Sequence, residues 1–427
     1  MAQPTDSPLK KHITILGGSY GGISTAHYLL RHVLPTLPRP DEYQVVLVSP
    51  STQAMCRQAC PRALISDDMF PQDKLFVAIS SMFEPYAQAA FLLLHGTATA
   101  LDHVARTVTV DMAGGRGVKT LDYHALVIAT GASTPSPLLG LNRASEDLRR
   151  SWAAFRRALP AARTIVIAGG GPAGVETAGE LGEYLNGRSR RPQSSPGSRK
   201  VAITLVTSAP EILPALRPAI ARKAEGYLAQ LGVVVRKGVR VSDVRRTTTT
   251  RRDGEEEEEV AAKATVALDN GETLDADLYI PATGTSPNTG FVDAGLLLPD
   301  GRVKTDPSTL RVDAAGPRTY AIGDASSYAA RPAVHNILAA VPVLCANARR
   351  DLLLASESPE RAAGGRDRLF TEDARENHLV PVGRSRGVGA AMGHQLPSFL
   401  VWMIKGRDYW LWTTGSLWSG KHWAKES

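Results

Sequence analysis

The sequence predicts an α/β protein with two Rossmann-like dinucleotide-binding domains, the second inserted in the first, plus a C-terminal extension. Three observations carry the prediction. Two glycine-rich turns, at Gly17 and at Gly169, each follow a short apolar run and open a helical pattern. An Ala-Thr-Gly turn ends a later apolar run of each unit, at residues 129–131 and 282–284. At 427 residues the chain is also long for one domain. The first domain is expected over 1–150 and 285–365, the second over 151–284, and the C-terminal segment over 366–427.

Composition narrows the function. Apolar content of 43% and charged content of 21% are ordinary for a globular protein. The net charge of +7 would suit an acidic partner, but the basic residues are scattered and form no nucleic-acid motif, so nucleic acid is not expected. Three cysteines make no disulfide framework, which fits a reducing compartment. The N-terminus has no apolar run behind its charges, so no secretory signal is expected. No apolar stretch approaches the ~18 residues that span a bilayer. A cytoplasmic location is expected, with peripheral membrane or mitochondrial association as its extension. No metal site is expected.

The later motif is the stronger one. Thr164–Ala168 reads as a buried strand, Gly169-x-Gly171-x-x-Gly174 as a turn, and a helix follows from Pro172 or Ala173. In such a motif the first glycine makes the turn, the second admits a pyrophosphate, and the third lets strand and helix pack closely. The diphosphate then meets unpaired N–H groups and the positive dipole end of the helix. The earlier copy runs Gly17, Gly18, Ser19, Tyr20, Gly21, Gly22 between the strand His12–Leu16 and the helix Ile23–Leu30, with Ser19 in place of the middle glycine. The strand Gln44–Val48 then ends at Ser49, where a carboxylate would usually bond a ribose; this departure weakens a plain NAD reading of the first site and leaves open an adenosine held by hydroxyls.

Met55–Ala63 follows. Cys56 and Cys60 would share a face if helical, as a redox pair or as small packing residues, although Pro61 argues against one continuous helix. Short strands are expected over Phe91–Thr109 and Leu121–Ala129. The second of these runs into Thr130 and Gly131, a turn that lets chain pass close to a cofactor. A connection and a helix fill Pro135–Arg157. Gly187–Lys200 reads as a surface loop, and the strand Val201–Val206 ends without a carboxylate. Arg217, Arg222 and Lys223, near the helix Ala219–Gln230, are then candidates to meet a 2′-phosphate. The strand Val233–Arg236 and the acidic run within Thr247–Glu259 come next; the run is assigned no function. Asp277–Ile280 leads to the second turn, through Thr283 and Gly284. The strand Thr319–Ile322 leads to Gly323-Asp324, where a carboxylate bonds a ribityl hydroxyl or caps a helix. Five of the six tryptophans fall in the last 26 residues, among lysines and arginines. That pattern fits a membrane-interface anchor, or a terminal hairpin or helix packed over the active-site mouth.

GGSYGG at Gly17, CPRA around Arg62, the turns at Thr130 and Thr283, GGGPAGVETAGEL at Gly169, AIGDAS at Asp324 and GVGAAMGHQLPSFLVWMIKGRDYW from Gly387 together resemble the two-dinucleotide-binding-domain flavoproteins. More narrowly the chain resembles the apoptosis-inducing-factor-like, ferroptosis-suppressor-type oxidoreductases, related to type II NADH dehydrogenases. The resemblance implies FAD in the first domain and NAD(P)H in the second. It implies that Gly17 to Gly22 hold the FAD diphosphate, Arg62 contacts FAD nearby, Ala98 offers backbone to the adenine, and Asp324 bonds the ribityl chain. Gly169, Gly171 and Gly174 would hold the NAD(P)H diphosphate. Glu176 would lie where nicotinamide meets flavin, and Lys405 would stand near the flavin. Pro342 departs from the family's pattern by breaking the expected helix after Asp324.

The reaction implied is hydride transfer from NAD(P)H C4 to flavin N5, then electron delivery to a quinone-like acceptor reached through the Trp-rich tail. Two other readings stand beside it. One keeps both cofactors but acts on a small-molecule (natural-product) intermediate, or on a disulfide or peroxide through Cys56 and Cys60. The other is an NAD(P)H-sensing redox signalling flavoprotein.

Overall fold

The computed structural model describes residues 10–189, 200–247, 259–330, 333–356, 359–362 and 365–426. Most of the Gly187–Lys200 loop and of the Thr247–Glu259 run lies outside the described residues.

Alternating apolar runs and glycine turns produce two parallel sheets. The first is built from β1 (Lys11–Leu16), β2 (Tyr43–Ser49), β3 (Phe91–Asp102), β4 (Thr107–Met112), β5 (Val118–Asp122), β6 (Ala125–Ile128) and, much later in the chain, Thr319–Ala321. In space the Thr319–Ala321 strand lies beside β6, followed by β1, β2, β3, β4 and β5. Contacts from that late strand through to β3 are parallel, while β4 and β5 extend the sheet antiparallel. Every residue of β6 and nearly every residue of β2 is buried, as expected of strands covered on both faces. Helix α1 (Tyr20–Tyr28) leaves β1 directly through the Gly17 turn and is buried along its whole length.

Helix α2 (Ser145–Ala158) leads into the second sheet. It has Leu148, Trp152 and Phe155 on one face and six arginines and acids on the other. The second sheet contains β7 (Thr164–Ala168), β8 (Ala202–Thr207), β9 (Val233–Lys237) and, after a three-stranded antiparallel sheet, Leu278–Pro281. Its spatial order is β9, β8, β7, Leu278–Pro281, all parallel. Helix α3 (Pro172–Asn186) follows β7 through the Gly169 turn. The second unit is therefore inserted between strands of the first sheet, the topology the repeated turns foretold. One apolar cluster runs from Met55 through α2 and the second sheet to Val380 and Tyr409, so the two units and the tail share a core.

Two expectations need correction. The segment after Asp324 is not broken at Pro342: one helix spans Val334–Leu354 with Pro342 buried inside it. Proline removes one N–H, so the carbonyl of Leu338 loses its i+4 donor while packing against α1 keeps the helix whole. The expected strand Leu121–Ala129 is two strands, because residues 123–124 turn the chain from the antiparallel extension into the parallel sheet. The tail packs on the body beside the cavity, as one of its two readings expects. It forms a three-stranded sheet over His378–Gln395, a short helix with a π turn over Ser398–Gly406, and the helix Leu411–Trp418.

The strand–turn–helix junctions tolerate no side chain at the third glycine. A Cβ on Gly22 would lie 1.8 Å from the carbonyl oxygen of Gly17, and one on Gly174 1.9 Å from that of Gly169. Gly22→Ala and Gly174→Ala should each force the helix off its strand at a cost of about 1–3 kcal/mol. A lowered thermal midpoint checks this, and an unchanged midpoint in both contradicts it.

Candidate active site

The two glycine turns are built alike. Gly17 and Gly169 adopt φ of 120° and 117°. A Cβ there would lie 2.2 Å from the carbonyl oxygen of Ala129 and 2.1 Å from that of Ala282. The glycine turns and the Ala-Thr-Gly turns are thus two halves of one device, pressed together at the carboxyl ends of adjacent strands. Ser19 and Gly171 are the N-cap residues of α1 and α3, and neither supplies a side-chain cap. The first-turn N–H groups of both helices therefore remain available to an anion. A Cβ on Gly171, Gly131 or Gly284 would meet nothing within 4 Å, so these positions open onto space.

That space is one continuous cavity of about 1550 Å³. Its wall includes Gly17 to Gly21, Ser49, Thr130, Gly131, Gly323 and Asp324 from the first unit, and Gly169 to Ala173, Thr283 and Gly284 from the second. Lys405, Trp410 and Trp412 close it from the tail. Such a volume exceeds the several hundred Å³ typical of one drug-sized ligand. Gly22 and Gly174 stand behind the wall, where they serve packing. Ser49, where a carboxylate would usually stand, turns back instead. Its hydroxyl donates to the carbonyl of Ser51 at 2.6 Å, and it packs against Gly18, where a Cβ would lie 2.4 Å from Ser49 Oγ. Thr207 packs against Gly170 in the same way.

Asp324 reaches the wall with Arg57 Nη1 3.7 Å from its Oδ2. Burial raises its carboxyl above the usual range, and the Arg57 charge opposes that rise. At the opposite side, Glu176 on α3 meets Lys405, whose Nζ donates to Oε1 at 2.6 Å and to the carbonyl of Leu379 at 3.0 Å. Both residues are buried, 3% and 8% exposed. Burial pushes Glu176 up to about 7; Lys405 opposes the rise, and Glu180 adds to it. Two residues 229 positions apart, each expected near the reacting ends of the dinucleotides, are therefore in direct contact.

Arg62 does not reach the cavity. Its guanidinium binds both oxygens of Glu180 at 3.0 and 2.8 Å and the carbonyls of Gly406 and Arg407, and it lies 4.7 Å from the Tyr409 ring. Four of its five N–H donors go to α3 and the tail, so Arg62 is held in a buried structural pair away from the wall where FAD was expected to meet it. Ala98 is likewise absent from the cavity wall. It sits at a bulge of β3, paired with Val110 of β4 and packed on the cluster around Val108 and Val110. Cys56 and Cys60 are both fully buried and outside the wall. Burial pushes the Cys56 thiol up to about 11 and the Cys60 thiol higher still, so neither forms a thiolate readily. Arg217 pairs with Glu376, and Arg222 and Lys223 lie off the wall.

The sequence reading missed Tyr409 and Trp410. Both have left-handed backbone, at φ 53° and 71°, which costs a bulky residue energy and is found where surrounding structure enforces it. Here Tyr409 is clamped by a 2.9 Å bond from its hydroxyl to Glu180, a bond from Cys56 Sγ to its carbonyl, and its own N–H to the carbonyl of Lys405. The clamp turns Trp410 to the cavity. No local sequence signal marks this, since glycine or asparagine would be the expected residue.

Two glycine turns with free helix N-termini facing one cavity, with a buried acid–base pair on the same wall, fit a protein that binds two dinucleotides. The profile of the pyridine nucleotide-disulphide oxidoreductase family matches residues 11–350, and the chain belongs to that family. It is 62% identical over 418 residues, 98% of each chain, to Oxidoreductase phnG of Penicillium herquei. It is 24% identical to Type II NADH:quinone oxidoreductase Ndh of Mycobacterium tuberculosis, over 57% of this chain and 54% of that protein. In fold it is similar to NDH2 of Plasmodium falciparum in complex with NADH, with a TM-score of 0.63 at 13% identity over 98% of this chain and 99% of that one. The protein is an NAD(P)H-dependent flavin oxidoreductase, an enzyme that uses FAD.

The Glu176–Lys405 pair carries a net positive charge while Glu176 holds its proton and is neutral once the proton leaves. Hydride arrival brings negative charge into the cavity. Flavin reduction by NAD(P)H should therefore slow as pH rises through about 7. Glu176→Gln should remove that inflection in a pH profile of the anaerobic reduction rate; its survival in the variant would show that another group titrates.

Proposed function

We propose that this chain passes electrons from NAD(P)H through FAD to a quinone-like acceptor, as an apoptosis-inducing-factor-like relative of the type II NADH dehydrogenases. The single observation that carries the reading is the shared cavity, lined by both glycine turns, by the paired Glu176 and Lys405, and by tail aromatics. The N-termini of α1 and α3 fit two diphosphates. The Gly17 turn would hold the FAD diphosphate, and Asp324, on the same wall, would be the acceptor for its ribityl hydroxyls. NAD(P)H takes the Gly169 turn. Bound FAD would supply the capacity to take hydride from a nicotinamide and pass electrons onward.

The residues of this chain supply position, charge and dryness. Gly131 and Gly284 keep the wall clear of side chains where a Cβ would enter open space. Glu176 orients the nicotinamide end, and Lys405, itself buried, holds positive charge where negative charge accumulates. Trp410 and Trp412, with ring centroids 6.5 Å apart, offer flat apolar faces to a planar acceptor. The buried thiols give no support to a disulfide or peroxide route.

The outside of the tail supports an acceptor drawn from a membrane surface. Phe399, Trp402, Met403 and Trp412 are 64%, 37%, 47% and 58% exposed, although Trp418 and Trp423 are buried. Lys421 and Lys425 are exposed in the same tail. Among the described residues no helix is long and apolar enough to cross a membrane. The triple variant Phe399→Ser, Trp402→Ser, Met403→Ser should lower turnover of a long-chain quinone in anionic vesicles several-fold and leave a short, water-soluble quinone nearly unaffected. Equal loss on both would remove the tail from the account of acceptor access.

A further inference from the structure

We infer that Arg240 is the coenzyme-specificity residue and that it selects the 2′-phosphate of NADPH over the free 2′-hydroxyl of NADH. The inference rests on the proposal that the Gly169 turn holds the nicotinamide nucleotide. Beyond that turn, the adenosine ribose lies at the carboxyl end of β8, where an acidic side chain would select NADH and a basic one NADPH. β8 ends in Thr207 and Ser208, so no carboxylate stands there. Thr207 folds onto Gly170, and Ser208 is exposed on the cavity wall.

The chain delivers a cation to this spot from the next strand. The N–H of Gly238 donates to the carbonyl of Ala209, and that of Val239 to the carbonyl of Thr207, both at 3.1 Å. These two bonds fasten the turn after β9 to the end of β8, and Arg240, the next residue, lines the cavity wall as Ser208 does. Neighbouring charges are already matched. Lys237 pairs with Glu211 and Glu225, and Arg236 pairs with Glu272. Asp269 accepts the backbone N–H of Arg240. Among the described residues the Arg240 guanidinium has no hydrogen-bond or ion-pair partner, although it is exposed and lines the cavity. A planar fork of N–H donors without a carboxylate suits a phosphate dianion.

The test has two arms. Isothermal titration of the holoenzyme compares 2′,5′-ADP with 5′-ADP, so it reads the ribose phosphate without any turnover. The wild type should bind 2′,5′-ADP about tenfold or more tightly than 5′-ADP, and Arg240→Ala should bring the two within about twofold. Steady-state kinetics should show the same residue acting through KM. Arg240→Ala raises KM for NADPH about tenfold with little change in kcat, shifts KM for NADH far less, and is partly rescued by Arg240→Lys. Equal binding of the two adenosine phosphates by the wild type, or an equal loss for NADPH and NADH in the variant, overturns the assignment. If neither coenzyme reduces the enzyme but 2′,5′-ADP still binds preferentially, the proposed reaction fails while the phosphate site stands.

Discussion

Two glutamates one turn apart on α3 face the same way, and neither could be buried there alone. Glu176 and Glu180, at i and i+4, would repel each other and lose their hydration. Each is met by a cation from a distant part of the chain: Lys405 from the tail for Glu176, and Arg62 from the first unit for Glu180. Removing one partner of such a buried pair leaves an uncompensated charge, at a typical cost of about 3–5 kcal/mol. Charge neutrality therefore ties the second unit, the first unit and the tail together along one helix face. The consequence for the site is direct. The pair nearer the glycine turn lies on the cavity wall, and the deeper pair, with Tyr409, fixes the strained turn that presents Trp410.

What the sequence revealed follows from locality. A glycine forced into left-handed backbone between a strand and a helix leaves a mark within six residues, so both nucleotide turns were legible. So were the Ala-Thr-Gly turns, although only the structure shows that Ala129 and Ala282 are the surfaces against which Gly17 and Gly169 are pressed. The importance of Glu176 and Lys405 was legible through resemblance; their contact was not, because no local rule joins residues so far apart. Arg62 misled for the same reason. A motif arginine beside a cofactor segment looks like a ligand contact until its actual partner, Glu180, is known. Pro342 misled in the opposite sense, because the rule that proline ends helices yields to a helix buried on several sides. Arg240 carries no motif. Only the pairing of Gly238 and Val239 with the end of β8 shows where it lies.

The absence of carboxylates at Ser49 and Thr207 is a shared feature of the two units. In both, the small hydroxyl residue ending the second strand packs on the second residue of the glycine turn, closer than a longer acid could sit. Close packing of the turn thus sets which nucleotide chemistry the neighbouring loops must complete. In the first unit the Ser49 hydroxyl is spent on Ser51, which leaves backbone on that wall; in the second the turn after β9 brings an arginine.

The central claim is that one cavity holds both dinucleotides with their reacting ends together beside Glu176 and Lys405. An anaerobic absorbance titration of the purified protein with NADPH tests it most directly. The account predicts a yellow protein whose flavin absorbance is lost at about one equivalent. A yellow protein that neither NADPH nor NADH bleaches would contradict the claim, since the two nucleotides would then not meet in the cavity that Gly17 and Gly169 share.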